Sequence, residues 1–403
     1  MRNFFKIFYS FIFCLPIFLQ GQPPIKVGIL HSRTGSMAIN EVPVLLATLV
    51  AIDEINQEGG INGRLLEAVI EDGASDPDVF SKGANLLLDQ GVEVIFGTWT
   101  SRSRKAVAEV LEKRGGLLFY PVQFEGLEES KNVIYLGAAP NQQMLPAVAW
   151  ALKNIGKKYY VVGSDYIYPK AATQILKDFL PEDGGVVIGE KLIKTSDYNF
   201  APIVADIKQK KPDVIINLVN GDGNRKFFTL LENDPELKKL PIMSMSVTED
   251  NIHSWNVDLD NHYLCWSYFQ SLKNPKNEEF LKNLRKRIDP KIYINDPMEI
   301  AYYGVKMWAD SARLANTTNQ EKILKTLKGQ GLQAPEGVIN IDDNHYLYRN
   351  IVLARVRHNM VPYIVWRSIN PIPPTPFPKY RTRQEWDQIM QEWYKAWGNK
   401  WSA

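Results

Sequence analysis

The chain has 403 residues, 45% hydrophobic and 23% charged, a balance that excludes an unstructured polymer and a wholly membrane-embedded protein and leaves room for two or three domains. Lys and Arg number 47 against 45 Asp and Glu, but Arg2 and Lys6 fall within the first 21 residues, where there is no acid; without them both signs number 45. So balanced a body gives no long-range attraction for nucleic acid or an anionic membrane, and a small or neutral ligand is the better expectation.

The first 21 residues, MRNFFKIFYSFIFCLPIFLQG, have a basic start, an apolar run over residues 8–19 interrupted by Ser10, and then polar Gln20 and Gly21. That run is short for a bilayer span and reads as a secretory signal over residues 1–21, which predicts a periplasmic or otherwise extracytoplasmic protein. Removing Cys14 with the signal leaves Cys265 as the single thiol, so no internal disulfide is available. Within HYLCWSYF, Cys265 reads as a small buried hydrophobe.

Short apolar runs then alternate with segments of helical period. IKVGIL (25–30) predicts a strand, and residues 44–55 place Leu45, Thr48, Ala51, Ile52 and Ile55 on one helical face, closed by the paired glycines of GGINGR. LEAVIED, VEVIFG (92–97) and GLLFY (116–120) predict further strands, with helices through residues 80–88 and from Ser101. A second series follows GAAPNQQ (137–143): strands KYYVVGS, GGVVIGEKLI, PDVIINLV and LPIMSMS alternate with helices. Two successive units of this kind predict an α/β fold of parallel sheets covered on both faces. Helices over residues 278–286, 297–315 and 320–327 come next. Three strand-like stretches follow, GVINID, YLYRNIVLARV and MVPYIVWRS, with a hairpin turn at His358 and Asn359 between the last two. The final residues are proline-dense and then carry Trp386, Trp393, Trp397 and Trp401; the first three share a helical face, which predicts a tail packed on its own domain.

Catalytic signatures are missing from the sequence. The five histidines, at 31, 253, 262, 345 and 358, show no metal-ligand spacing, and there is no phosphate loop or nucleophile elbow. GDGN (221–224) lies between a strand and a helix but reads as loop punctuation. The chain is therefore read as a binding protein rather than an enzyme, with no metal and no cofactor. Its candidate binding residues cluster at the carboxyl ends of strands, where open α/β sheets take ligands. Trp99, Thr100 and Ser101 follow VIFG, with Ser101 expected as the helix cap and the first-turn N–H groups free to donate. Tyr120 ends the next strand, and Tyr166 and Tyr168 follow a strand of the second unit. Ser246 and Glu249 follow LPIMSMS. Asp296, Pro297 and Glu299 fit a capping box with Asp296 as cap, so Glu299 is a candidate with a structural explanation of its own.

Several strings carry a family resemblance: KVGILHSRTGSMA, INQEGGINGR, FGTWTSRSRKAV, LLFYPVQFEG, GAAPNQQ, GSDYIYP and NDPMEIAYYG. Over essentially the whole chain after residue 21 the sequence resembles the type 1 solute-binding proteins of branched-chain amino acid transporters, and within them the urea and short-chain amide binders. The resemblance implies a periplasmic-binding-protein type 1 fold, two Rossmann-like lobes joined by three hinge crossovers near residues 137–143, 268 and 341–346. It implies an N-terminal lobe of residues 24–140 plus 269–342, a C-terminal lobe of 141–268 plus 343–368, and a tail of 369–403. It further implies capture of urea or a short-chain amide and delivery to the permease subunits of an ABC transporter, without nucleic acid as a partner. By the same resemblance the ligand lies against Trp99, Ser101, Tyr120, Tyr166 and Tyr168; related amide sensors carry tyrosine at the position of Trp99 and threonine at that of Val122. A branched-chain amino acid receptor and an amide-sensing regulator are the alternatives.

Overall fold

The computed structural model describes residues 22–255, 261–356 and 360–403. The signal segment with Cys14, and the turn at His358 and Asn359, lie outside the described residues.

The first series runs β1 (Ile25–His31), α1 (Ala38–Gln57), β2 (Leu66–Asp72), α2 (Pro77–Asp89), β3 (Ile95–Gly97), α3 (Ser101–Arg114), β4 (Leu118–Tyr120) and β5 (Val133–Tyr135). The second runs α4 (Met144–Asn154), β6 (Lys158–Ser164), α5 (Ile167–Phe179), β7 (Val186–Ile193), α6 (Ala201–Lys210), β8 (Val214–Leu218), α7 (Gly223–Glu232), β9 (Ile242–Ser244), α8 (Glu249–Trp255) and β10 (His262–Trp266). After these come α9 (Pro275–Arg287), α10 (Asp296–Ala315), α11 (Gln320–Leu327), the hairpin β11 (Gly331–Ala334) and β12 (Gly337–Asn340), then β13 (Val352–Val356), β14 (Pro362–Arg367) and α12 (Arg383–Ala396).

The first sheet is wholly parallel, in the order β2-β1-β3-β4-β5. The second repeats that order as β7-β6-β8-β9-β10, with β13 and β14 added antiparallel at the β10 edge. Each sheet therefore reverses its winding beside its first strand, between β1 and β3 and between β6 and β8, and a crevice opens beyond the strand ends there. The period of two is plain in β6, whose Tyr159 and Val161 enter the core on one face while Tyr160 and Val162 enter the core on the other.

Helix starts follow local chemistry. Asp76 accepts from the N–H groups of Asp78 and Val79 ahead of α2, with Pro77 in the first turn, and Thr382 with Glu385 forms a capping box at α12. Two caps differ from the sequence reading. Thr100, not Ser101, caps α3, because Thr100 is extended while Ser101 is already helical. Asn295, not Asp296, caps α10 by accepting from Met298 N–H at 3.0 Å. The stretch YLYRNIVLARV is strand only over Val352–Val356; β5, α8, β10 and β11 were not anticipated.

The core of the first sheet is built from residues between Ile25 and Ala139 and again between Tyr268 and Leu347, while the cores of the second sheet draw on residues between Leu127 and Phe269 and again from Ile351 onward. The chain thus passes between lobes three times, and one buried side chain ties the passages together. Arg349, in the third, donates to Leu136 O in the first at 2.6 Å and to Asp296 at 2.8 Å. Asp296 in turn accepts from the N–H groups of Ser267 and Tyr268 in the second, both at 2.9 Å. Asp296 is thereby recruited as a tie between crossovers, which is why the cap falls to Asn295.

The tail packs on the second lobe. Trp386 is fully buried and Met390 nearly so, with Trp393, Trp397 and Trp401 against the same core, and Arg381 grips Asp178 through two nitrogens at 2.5 and 2.7 Å.

Candidate functional site

The residue that opens the β3 to α3 turn is strained. Thr98 has φ of +62°, a left-handed conformation uncommon for any residue but glycine and seldom adopted by a β-branched one, of the kind that clusters at functional sites. It turns Trp99 away from the strand to meet the other lobe, where the indole Nε1 donates to Asn220 Oδ1 at 3.2 Å. Asn220 stands at the end of β8, so the contact joins the two crevices. Beside it, Gly221 has φ of +70°, and a Cβ there would lie 2.5 Å from Ser36 O and from Met37 Cε of the first lobe. Only glycine lets the lobes approach this closely.

Around Trp99 the polar groups are buried and almost wholly paired with one another. Tyr120 donates its hydroxyl to Trp99 O at 2.7 Å. From the irregular segment after β4, Gln123 donates to Met245 O at 2.7 Å and to Ser246 Oγ at 3.3 Å, a second bridge between lobes. Ser101 Oγ donates to Glu125 Oε2 at 2.5 Å and accepts from Arg104 Nη1 at 3.1 Å. Arg104 is fully buried, paired with Glu125 at 2.9 Å and Glu128 at 3.1 Å, and its guanidinium lies over the rings of Tyr120 and Phe124 at 4.8 and 4.3 Å. Burial alone would raise the Glu128 carboxyl, but Arg104 and Lys105 hold it well below the usual range. Across the crevice, the rings of Tyr166 and Tyr168 lie 6.4 Å apart. Burial pushes the hydroxyls of Tyr120, Tyr166 and Tyr168 well up, so all three are neutral phenols at ordinary pH. Tyr168 has Ser246, Glu125, Tyr120 and Gln123 as its polar neighbours.

Buried atoms here without a hydrogen-bond partner include Thr98 Oγ1 and Arg102 Nε, and, on residues about 95% buried, Gln123 Oε1 and Tyr168 Oη. Gln123 Oε1 is an acceptor and Tyr168 Oη either a donor or an acceptor. At the start of α3, Thr100 Oγ1 takes Ser103 N–H at 3.2 Å and Thr100 O takes Arg104 N–H at 2.9 Å. The N–H groups of Ser101 and Arg102 precede the helical ladder and are the donors of that corner. A family profile described as periplasmic binding protein domain matches residues 25–383.

The chain belongs to the periplasmic binding protein family. Among curated relatives, it is 23% identical over 332 residues to the leucine-, isoleucine-, valine-, threonine-, and alanine-binding protein of Pseudomonas aeruginosa, covering 79% of this chain and 86% of that protein. A shorter match, 35% identical over 115 residues, is to a protein named limonene hydroxylase from Geobacillus stearothermophilus; it covers 28% of this chain, which spans only 21% of that protein's length. Among solved structures, the solute-binding protein of an ABC transporter from R. palustris, in complex with 4-hydroxybenzoate, superimposes with a TM-score of 0.76 at 20% identity, covering 87% of this chain and 98% of the other. That likeness is one of fold.

In this periplasmic binding protein, Trp99, Ser101, Tyr120, Tyr166, Tyr168 and Ser246 fall in one interlobe cluster, with Thr100 as the cap that orients it. Glu249 and Glu299 have their contacts elsewhere. Glu249 Oε2 accepts from Gln270 N–H at 2.8 Å in the second crossover, and burial pushes its carboxyl up to about 8. Glu299 is fully buried beside Glu336, Arg349 and Asp296, and burial, then Glu336, raises it well above the usual range. Both carboxylates belong to the crossover region.

Gln123, Glu125, Arg104 and Asn220 are the members that sequence reading missed. The available signal was QFE, which sets Gln123 and Glu125 two residues apart shortly after a strand end. The tail is the other surprise. Its last residues reach the rim: Ile167 N–H, opening α5, donates to Trp401 O at 3.0 Å, Ser402 bridges Tyr166, and Lys105 of the first lobe lies 4.4 Å from the Trp401 ring. A cavity of about 400 Å³ lies there, lined by Asp76, Arg102, Tyr394, Trp397 and Trp401 among others.

Proposed function

We propose that the protein is an exported receptor, not an enzyme, that captures urea or a short-chain amide between its lobes and presents it to the permease of an ABC importer. The observation that supports this most is the polarity of the buried cluster. Among its partnerless atoms, Gln123 Oε1 and Tyr168 Oη, together with the remaining lone pair of Ser101, offer acceptors at an edge. Its interior charges, on Arg104, Lys105, Glu125 and Glu128, are mutually paired. Urea is planar and neutral, with N–H donors on two edges and one carbonyl, and such a site suits it: acceptors for the N–H groups, the first-turn N–H groups of α3 for the oxygen, and the Trp99 ring for the plane. Closure of the lobes follows from tighter binding in the closed form, where Trp99 to Asn220 and Gln123 to Met245 join the lobes.

One observation favours a carboxylate solute as a second reading. Arg102 has no carboxylate within ion-pair reach among the described residues, donating instead to Ser75 O at 3.3 Å and Thr195 Oγ1 at 3.4 Å. A ligand panel read by thermal unfolding separates the two, since a ligand bound to the folded state raises the transition. Urea, formamide or acetamide should raise it at concentrations far below denaturing ones, while a rise with leucine or 4-hydroxybenzoate alone would replace the first reading with the second.

A further inference from the structure

Ser101 stands where a short side chain and the start of a helix together make a ready corner for a carboxylate or a carbonyl oxygen. A serine hydroxyl has one hydrogen and two lone pairs. Here the hydrogen is committed to Glu125 Oε2 at 2.5 Å, and one lone pair is taken by Arg104 Nη1 at 3.1 Å. Only a lone pair is left for a ligand. The commitment is rigidly held. Glu125 is fully buried, and its other oxygen is fixed by Arg104 Nη2 at 2.9 Å. Arg104 is itself clamped by Glu128 and by the rings of Tyr120 and Phe124.

We propose that Glu125 is a positioning residue that sets ligand specificity: by taking the hydroxyl hydrogen of Ser101, it makes that corner accept an N–H and reject a carboxylate. The inference rests on the proposed amide-type ligand and names how the site tells an amide from its acid. A carboxylate oxygen placed against Ser101 Oγ would face a lone pair, with the Glu125 carboxylate immediately behind it. The two cations behind the corner are paired with two carboxylates and Arg102 beside it is engaged by Ser75 O and Thr195 Oγ1, so none of these cations is directed at a carboxylate placed against Ser101 Oγ. An amide presents an N–H at the same place and meets an acceptor.

Acetamide and acetate are the probes, because they share a shape and differ in the group that meets Ser101. The decisive variant is Glu125→Gln. Arg104 can only donate, so it claims the single carbonyl oxygen of the new side chain, and the amide nitrogen turns to Ser101 as a donor. The Ser101 hydrogen is then free to point at the ligand. Isothermal titration of the wild-type chain should show acetamide preferred over acetate, and Glu125→Gln should narrow that ratio at least about tenfold by gaining acetate and losing acetamide. Ser101→Ala leaves the buried charges as they are, and it should narrow the ratio by losing acetamide alone, which covers the case in which Glu125→Gln does not fold. A wild-type protein that binds neither urea nor acetamide removes the functional reading. Amide binding in the wild type with an unchanged acetamide to acetate ratio in either variant removes the role of Glu125.

Discussion

Replacing Arg349 by methionine should be among the most damaging single changes to the fold. The guanidinium is fully buried and makes four hydrogen bonds: two to Glu336 Oε2 at 3.0 and 2.8 Å, one to Asp296 Oδ2 at 2.8 Å and one to Leu136 O at 2.6 Å. Methionine fills much of the volume but leaves the Leu136 carbonyl without a donor, a loss of about 1–3 kcal/mol. It also strips the cation from a buried group of carboxyls. Asp296 keeps its two backbone donors, so the greater part of the damage falls on Glu336, whose carboxyl burial already holds at about 7 despite Arg349. Removing one partner of a buried ion pair costs about 3–5 kcal/mol, and that is the expected loss for Arg349→Met. Calorimetric unfolding near pH 7 is the assay, with guanidinium rather than urea if a denaturant is used. Two further outcomes belong to the same reasoning. Adding Glu336→Gln should restore part of the loss, because the stranded carboxylate goes with its partner. Lowering the pH should also help the single variant, since a carboxyl whose folded pKa is raised is stabilised as it protonates. A loss below about 1 kcal/mol, with no recovery in the double variant, would refute the view that Arg349 ties the three crossovers.

Other consequences can be checked alongside it. Glu249→Gln should flatten the pH dependence of stability: with the folded carboxyl at about 8 and an ordinary unfolded value, the wild type loses stability from this group as pH rises from about 5 to 8, and the variant should not. Glu299→Gln should lessen the loss of stability that the wild type suffers as pH rises above the ordinary carboxyl range, read by thermal unfolding, because burial and Glu336 raise the folded Glu299 carboxyl. Trp386→Ala should cost about 3–5 kcal/mol, the usual consequence of deleting a fully buried large aromatic. Truncation after Trp397 removes the Trp401 ring from Lys105, the contact of the two that spans the lobes, worth about 1 kcal/mol, and stopped-flow tryptophan fluorescence should show ligand leaving about fivefold faster.

Much of the architecture was legible because alternation of β and α segments is a strong periodic signal, and the two lobes repeat one winding order. Three strands escaped: β5 and β11 have three and four residues, too few for a period of two to register, and β10, buried on both faces, is an unbroken apolar run without alternation. Caps were placed one residue out at α3 and α10 for a related reason. In TWTS and NDP adjacent side chains are equally able to cap, and only backbone conformation, or a rival duty such as Asp296's tie to the crossovers, decides between them. The aromatic and hydroxyl members of the site were legible because each follows a strand directly. Glu125 and Gln123 were not, since their roles depend on Arg104, some twenty residues away along the chain, and on Met245 and Ser246 in the other lobe. The contact of the tail with Tyr166 and Lys105 is likewise a long-range fact that its Pro- and Trp-rich composition could not express.

Isothermal titration calorimetry of the purified chain with urea decides whether the interlobe cluster takes a small neutral amide. Urea should bind saturably, one to one, and more weakly in Ser101→Ala and Tyr168→Phe. Absence of heat with urea, formamide and acetamide from a protein that binds leucine would contradict it.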